Sequence, residues 1–325
     1  MAKLTMVEAI NMAHAWEMER DPSVIVLGED VGANGGVFRA TVGLQARFGE
    51  RRVQDTPLAE GLIAGAAIGM AAQGLKPVAE IQFMGFIYPA LDQIASHMAR
   101  LRNRTRGRLS CPVVLRMPHG GGIHAPEHHS ESLEALLCHH PGLRVVCPSS
   151  PARAYGLLLA AIRDPDPVIF LEPVRLYRFS KQEVADDGAA LPLGQCFLLR
   201  EGSDLTLVTW GAMTIESLKA AEQLAAEGIS CEVIDVGTLA PLDFDTILDS
   251  VVKTGRLLIV HEAPRTGGVG AEIAATVTEH ALYDLQAPIR RVTGYDTIMP
   301  LYRLEHDYIP SVARIVGGIR DTLAD

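Results

Sequence analysis

The chain has 325 residues, of which 48% are hydrophobic, and a formal net charge of −10. That length exceeds what one hydrophobic core usually organises, so two domains are expected. The acidic balance excludes nucleic acid as a main partner, because a phosphate-binding surface needs concentrated Lys and Arg. Cys111, Cys138, Cys147, Cys196 and Cys231 form neither a CxxC pair nor a zinc-like spacing. Disulfide or metal stapling is therefore not expected, and a reduced, cytoplasmic setting is.

Met1 to Arg20, with Glu8, Glu17 and Glu19, reads as the start of an amphipathic helix rather than an apolar leader, and no run is long enough to span a membrane. Short β-branched runs then alternate with helical patterns: Val24 to Leu27, Val113 to Leu115, Val145-Val146 and Val168 to Leu171. Alternation of this kind implies parallel sheet. The basic run Arg100 to Arg108 reads as a solvated helix end or a subunit contact. From Arg178 to Pro192 the composition turns polar and irregular, which fits a linker better than a packed element. A second series follows, with strands at Leu205–Val208, Cys231–Ile234, Leu257–Val260 and Ile289–Val292 and helices near 213–227, 243–253 and 269–285. The expected architecture is two doubly wound α/β domains, 1–178 and 199–325, joined by a linker at 179–198.

Three segments carry chemistry. Asp55-Thr-Pro-Leu58-Ala-Glu60 opens a helix with glycines at 61, 65 and 69. Each interior glycine costs a helix about 1 kcal/mol relative to alanine. Glycines four apart share a face, so this helix is expected to let another backbone approach closely, inside the core or at a subunit interface. Glu60 in the first turn either complements the helix dipole or, sheltered by Leu58, Ala59, Leu62 and Ile63, is raised in pKa toward proton exchange. Glu80 to Gln93 passes from strand to helix, where open α/β sheets place ligands, and Phe83, Phe86 and Tyr88 either fill the core or offer a ring face to a flat heterocycle.

The third segment is Met117 to Glu131, with Gly120-Gly-Gly122 suited to folding around a ligand. His128 and His129 fit proton transfer better than zinc binding, since no HExxH is present. Glu131 is positioned by sequence to raise the pKa of a neighbouring imidazole, whereas His119, His139 and His140 read as solvated loop histidines.

Together these segments resemble the beta subunit of the thiamine-diphosphate-dependent decarboxylase component of 2-oxo acid dehydrogenase complexes, of the pyruvate and branched-chain types. The resemblance covers essentially the whole chain, including Leu27 to Val31, Glu80 to Phe83, Arg116-Met-Pro118, His129-Ser130, Phe170 to Pro173, Lys253 to Arg256, His261-Glu-Ala263 and Arg291 to Gly294. The family's glutamate, followed by glycine five and nine positions later, is matched by Glu60, Gly65 and Gly69. The resemblance implies a pyrimidine-binding N-terminal domain and a transketolase-like C-terminal domain. It implies that Glu60 bonds the pyrimidine nitrogen of thiamine diphosphate, that Phe86 and Leu58 flank the ring, and that His129 handles substrate and acyl transfer to lipoyl groups.

No Gly-Asp-Gly segment is present, so by the resemblance magnesium belongs to an alpha subunit in an α2β2 tetramer, attached to a lipoyl acyltransferase core through the C-terminal domain. The resemblance also implies structural potassium at Val113, Ala161, Ile162, Asp164 and Asp166. Two departures are Glu131 where many relatives have Gln and Ile298 where proline is common. The main expectation is oxidative decarboxylation of pyruvate. The alternatives are a branched-chain 2-oxo acid or acetoin enzyme, a noncatalytic scaffold for the acyltransferase core, and a zinc hydrolase.

Overall fold

The computed structural model describes residues 2–325. Its first helix, Met6–Arg20, starts at a capping box in which Thr5 and Glu8 satisfy each other's backbone N–H groups. A seven-stranded sheet follows, in the spatial order Thr238–Ala240, Arg144–Val146, Val168–Pro173, Val114–His119, Lys76–Glu80, Val24–Gly28, Val53–Asp55. All neighbours are parallel except the first pair. The strands Val24–Gly28, Val114–His119 and Val168–Pro173 are buried along their whole length. Sequences covered on both faces read as continuous rather than alternating apolar runs, which is why these strands stand out in the sequence.

The second sheet has the order Arg290–Val292, Leu257–Val260, Leu205–Thr209, Cys231–Asp235, Phe197–Arg200, with only the last strand antiparallel. Helices Met213–Ala225, Phe244–Thr254 and Val269–Ala281 separate its strands as expected, and Val312–Ala324 completes the layer. Phe244–Thr254 stops at Gly255, whose φ of 69° gives the left-handed cap that glycine adopts without strain.

Two features depart from the sequence expectation. The polar stretch taken as linker contains a strand, Gln182–Val184, paired antiparallel with Ala2–Leu4. Four of the six side chains in this ribbon are exposed, so no apolar alternation announces it. The second departure is Thr238–Ala240, which leaves the C-terminal half of the chain to add an edge strand to the first sheet. The basic run contains the short helix Leu101–Arg104, where Arg102 pairs with Asp166 at 2.5 Å and Arg104 donates to the Ser96 carbonyl at 2.6 Å.

Candidate active site

Parallel strands deliver their carboxyl ends to one edge of the first sheet, the place where open α/β sheets hold ligands. Glu29 directly follows Val24–Gly28, and Glu80 closes its own strand. The loop from His119 follows Val114–His119, and Glu60 begins the helix Glu60–Ala72 after the strand Val53–Asp55. Glu60 is only 8% exposed, and no hydrogen bond from another described residue reaches its carboxylate. Burial pushes the Glu29 carboxyl above its ordinary range, helped by the negative charges of Glu60, Asp30 and Glu80. Glu29 Oε1 is buried without a hydrogen-bond partner, as is Thr56 Oγ1.

The shelter of Glu60 is not the one expected from sequence. Ile63 is fully buried, but Leu58 is 79% and Leu62 52% exposed on this chain. The helix begins at a sheet edge, so its first turn points outward as well as into the core. Leu58, Leu62 and the exposed Tyr88 leave apolar surface uncovered around the entrance. The glycine face is used in part: a Cβ at Gly61 would stand 3.0 Å from the Pro89 carbonyl, and one at Gly65 3.3 Å from the Gln93 side chain. Gly69 faces open space.

Beneath these carboxylates lies a buried ion network. Arg116 donates to both oxygens of Glu172 at 2.8 and 2.7 Å and also pairs with Glu80, while Tyr177 donates to Glu172. Burial nevertheless pushes the Glu80 carboxyl upward, against the pull of Arg116. His14, buried beside this network, is held neutral, with its pKa lowered to about 3 by burial and by the Arg116 charge.

Aromatic side chains wall the other flank. The His129 ring lies 4.4 Å from Phe83 and 5.0 Å from Phe86, edge to face in both cases. His129 Nδ1 is 2.8 Å from the Glu127 carbonyl oxygen. A carbonyl only accepts, so Nδ1 carries the proton and Nε2 is the basic nitrogen of the neutral ring. Glu131 makes no such contact with His129. It lies by Gly85, whose added Cβ would meet Glu131 Cγ at 3.1 Å, and its charge acts on Tyr88.

Two expectations about the histidine loop are corrected. His119 is not solvated: it is 5% exposed, and its Nε2 bonds Glu134 at 3.1 Å. Glu134 in turn accepts from Trp210 Nε1 at 3.2 Å, which ties the loop's root to the second domain. The glycine triplet wraps protein carboxylates rather than a ligand. Gly121 N–H donates to Glu262, and Gly122 and His124 N–H donate to Glu305 at 2.5 and 3.0 Å. Sequence spacing cannot pair residues so far apart, so Glu305 carries no signal in the sequence and Glu262 only that of the His261-Glu-Ala263 match. Glu29 was visible only as part of a matched motif, although its place immediately after the Val24 strand is a usable signal.

The suggested potassium residues come together at the end of the helix Pro151–Arg163. The Asp164 carboxylate lies 3.0 Å from Arg144 and accepts the Asp166 N–H at 2.8 Å. The Val113 and Ala161 carbonyls accept from Val168 at 2.9 Å and Asp164 at 3.3 Å. Among the described residues there is no group of three or more His, Cys, Asp or Glu placed to hold a metal ion. The five cysteines are unpaired, and no described helix is long and apolar enough to cross a membrane.

Residues 2–180 match the family model for the transketolase pyrimidine-binding domain, and residues 194–315 match that for the transketolase C-terminal domain. The chain is 52% identical to the pyruvate dehydrogenase E1 component subunit beta of Acholeplasma laidlawii over 98% of both chains. It is 49% identical to the protein of that name from Bacillus subtilis (strain 168) over 99% of both. A split-gene transketolase, described as an inactive beta4 tetramer, superposes with a TM-score of 0.82 at 23% identity over 99% of both chains, a likeness of fold. The edge that carries Glu29, Glu60 and Glu80 thus sits in a pyrimidine-binding domain, and the chain belongs to the family of pyruvate dehydrogenase E1 component beta subunits, a transketolase-like, thiamine-diphosphate-dependent family whose members work with an alpha subunit.

Proposed function

We propose that this chain supplies the proton-handling half of a thiamine-diphosphate site that oxidatively decarboxylates pyruvate and passes the acyl group to lipoamide. Pyruvate is preferred over branched-chain substrates because the relatives near 50% identity carry the pyruvate name. The observation that carries the reading is Glu60, 8% exposed at a helix start on the carboxyl edge of the sheet, beside Glu29, whose Oε1 is buried without a hydrogen-bond partner. A buried polar group without a partner costs of order 1–3 kcal/mol. A heterocyclic nitrogen and amino group docking there would satisfy both.

Thiamine diphosphate bound here would supply a nucleophilic carbon and an electron sink for decarboxylation. Glu60 holds the proton exchanged with the ring nitrogen opposite it, beside Glu29, whose carboxyl is pushed up by burial and by the negative charges of Glu60, Asp30 and Glu80. Phe86 and Leu58 offer the apolar faces that position the ring. His129 presents basic Nε2 for the proton that accompanies acyl transfer. With no Gly-Asp-Gly segment in the chain, the magnesium and diphosphate half is assigned to an alpha subunit, with the uncovered Leu58, Leu62 and Tyr88 as part of the seam.

The working assembly is an α2β2 tetramer in the cytoplasm, attached to a lipoyl acyltransferase core. Its domains divide at 1–178 and 199–325. Potassium is assigned to Val113, Ala161, Ile162, Asp164 and Asp166, where the carbonyl end of a helix favours a cation. The test is Glu60→Gln in the assembled enzyme. Decarboxylation should fall about 100-fold or more with the tetramer intact, and full activity would refute the assignment.

A further inference from the structure

The loop that carries His129 is a closed unit held from outside its own domain. Gly120 N–H bonds the Glu131 carbonyl at 3.0 Å, so residues 120–131 leave and return at one point. Within it His124 and His128 adopt left-handed backbone, with φ of 58° and 67°. Left-handed conformations in non-glycine residues persist only where the surroundings over-determine them. At the front of the loop that determination comes from Glu305, on the short helix Glu305–Tyr308 of the second domain. Its side chain is 2% exposed, and its two oxygens each accept one backbone N–H, from Gly122 and from His124.

The rear of the loop is fixed differently. His129 packs on Phe83 and Phe86, and its N–H reaches the Pro126 carbonyl at 3.3 Å. Glu60 stands on another element, the helix Glu60–Ala72, and among the described residues the Glu305 carboxylate bonds only Gly122 and His124. Glu305 thus bonds the loop that carries His129 and makes no hydrogen bond to the helix that carries Glu60.

We propose that Glu305 is a positioning residue for the acyl-transfer half of the reaction, setting His129 for the incoming acceptor by clamping its loop, while leaving decarboxylation to Glu60. This deepens the function proposed above and rests on it. The geometry requires a carboxylate. Glutamine offers one acceptor and would turn an NH2 group toward the second N–H, and aspartate is one methylene too short to bridge both.

The test uses the tetramer assembled with its alpha subunit, thiamine diphosphate and magnesium, in two assays: pyruvate decarboxylation with ferricyanide as oxidant, and acetyl transfer to a free lipoyl domain. In Glu305→Gln the transfer rate should fall about tenfold or more, a misplacement effect, with decarboxylation within about twofold of the parent. Adding His124→Asn, a residue that takes left-handed backbone with less strain, should recover most of the lost transfer. If Glu305→Gln fails to assemble, Glu305→Asp should show the same split. An unchanged ratio of the two rates, a parallel fall in both, or no recovery in the double variant overturns the proposal. A parent enzyme that assembles but decarboxylates nothing would instead overturn the function on which it rests.

Discussion

At the scale of single residues, burial decides more than proximity. His14 is the clearest case: fully buried, with Nδ1 donating to the Ile10 carbonyl at 2.8 Å and a pKa lowered to about 3. A histidine depressed in the folded state contributes stability that is present above its unfolded pKa near 6.5 and is lost as pH falls toward the folded value. His14→Gln should therefore flatten the decline of melting temperature between pH 6.5 and pH 4, and an unchanged slope would contradict the burial argument. Arg116 makes the complementary case. Replacing it with Met strands Glu80 and Glu172 as buried charges, which should cost about 3–5 kcal/mol in denaturant unfolding. The sequence itself singles out Glu60 by its place at a helix start, whereas Phe86 and His129 stand out from Phe83, Tyr88 and His128 only through the family resemblance. Glu305 is not legible, since its partner Gly122 lies 183 residues away, and Glu262 shows only inside the His261-Glu-Ala263 match, not through its contact with Gly121, 141 residues away.

At the scale of elements, the fully buried strands were readable because both faces are covered, and the ribbon Ala2–Leu4 with Gln182–Val184 was not because it is mostly solvated. The glycine-rich segment forms the helix Glu60–Ala72 that its sequence predicts, but its three glycines serve different ends. Gly61 and Gly65 admit the Pro89 carbonyl and Gln93, whereas nothing lies within 4 Å of a Cβ placed at Gly69. Gly69→Ala should thus stabilise the isolated chain by about 1 kcal/mol through helix propensity alone. If the exposed end of this face meets a partner, the same substitution should weaken assembly, read as a larger dissociation constant in sedimentation. Gly61→Ala should lower the melting temperature instead, because its methyl group meets a backbone carbonyl that cannot easily move.

For the whole molecule, one physical arrangement governs the account: the carboxyl edge of the first sheet is built from this chain, but Leu58, Leu62 and Tyr88 remain uncovered beside it. Glu60 is already sheltered by this chain, and a second chain is needed to cover the apolar rim around it. The second domain contributes through its carboxylates to the histidine loop and through Thr238–Ala240 to the first sheet, so the two domains act as one support. The most direct measurement is pyruvate decarboxylation by the purified chain, alone and after mixing with an alpha subunit, thiamine diphosphate and magnesium. The expectation is no turnover from the chain alone, turnover on assembly, and loss of that turnover in assembled Glu60→Gln. Decarboxylation by the chain alone, or undiminished activity of the assembled variant, would contradict it.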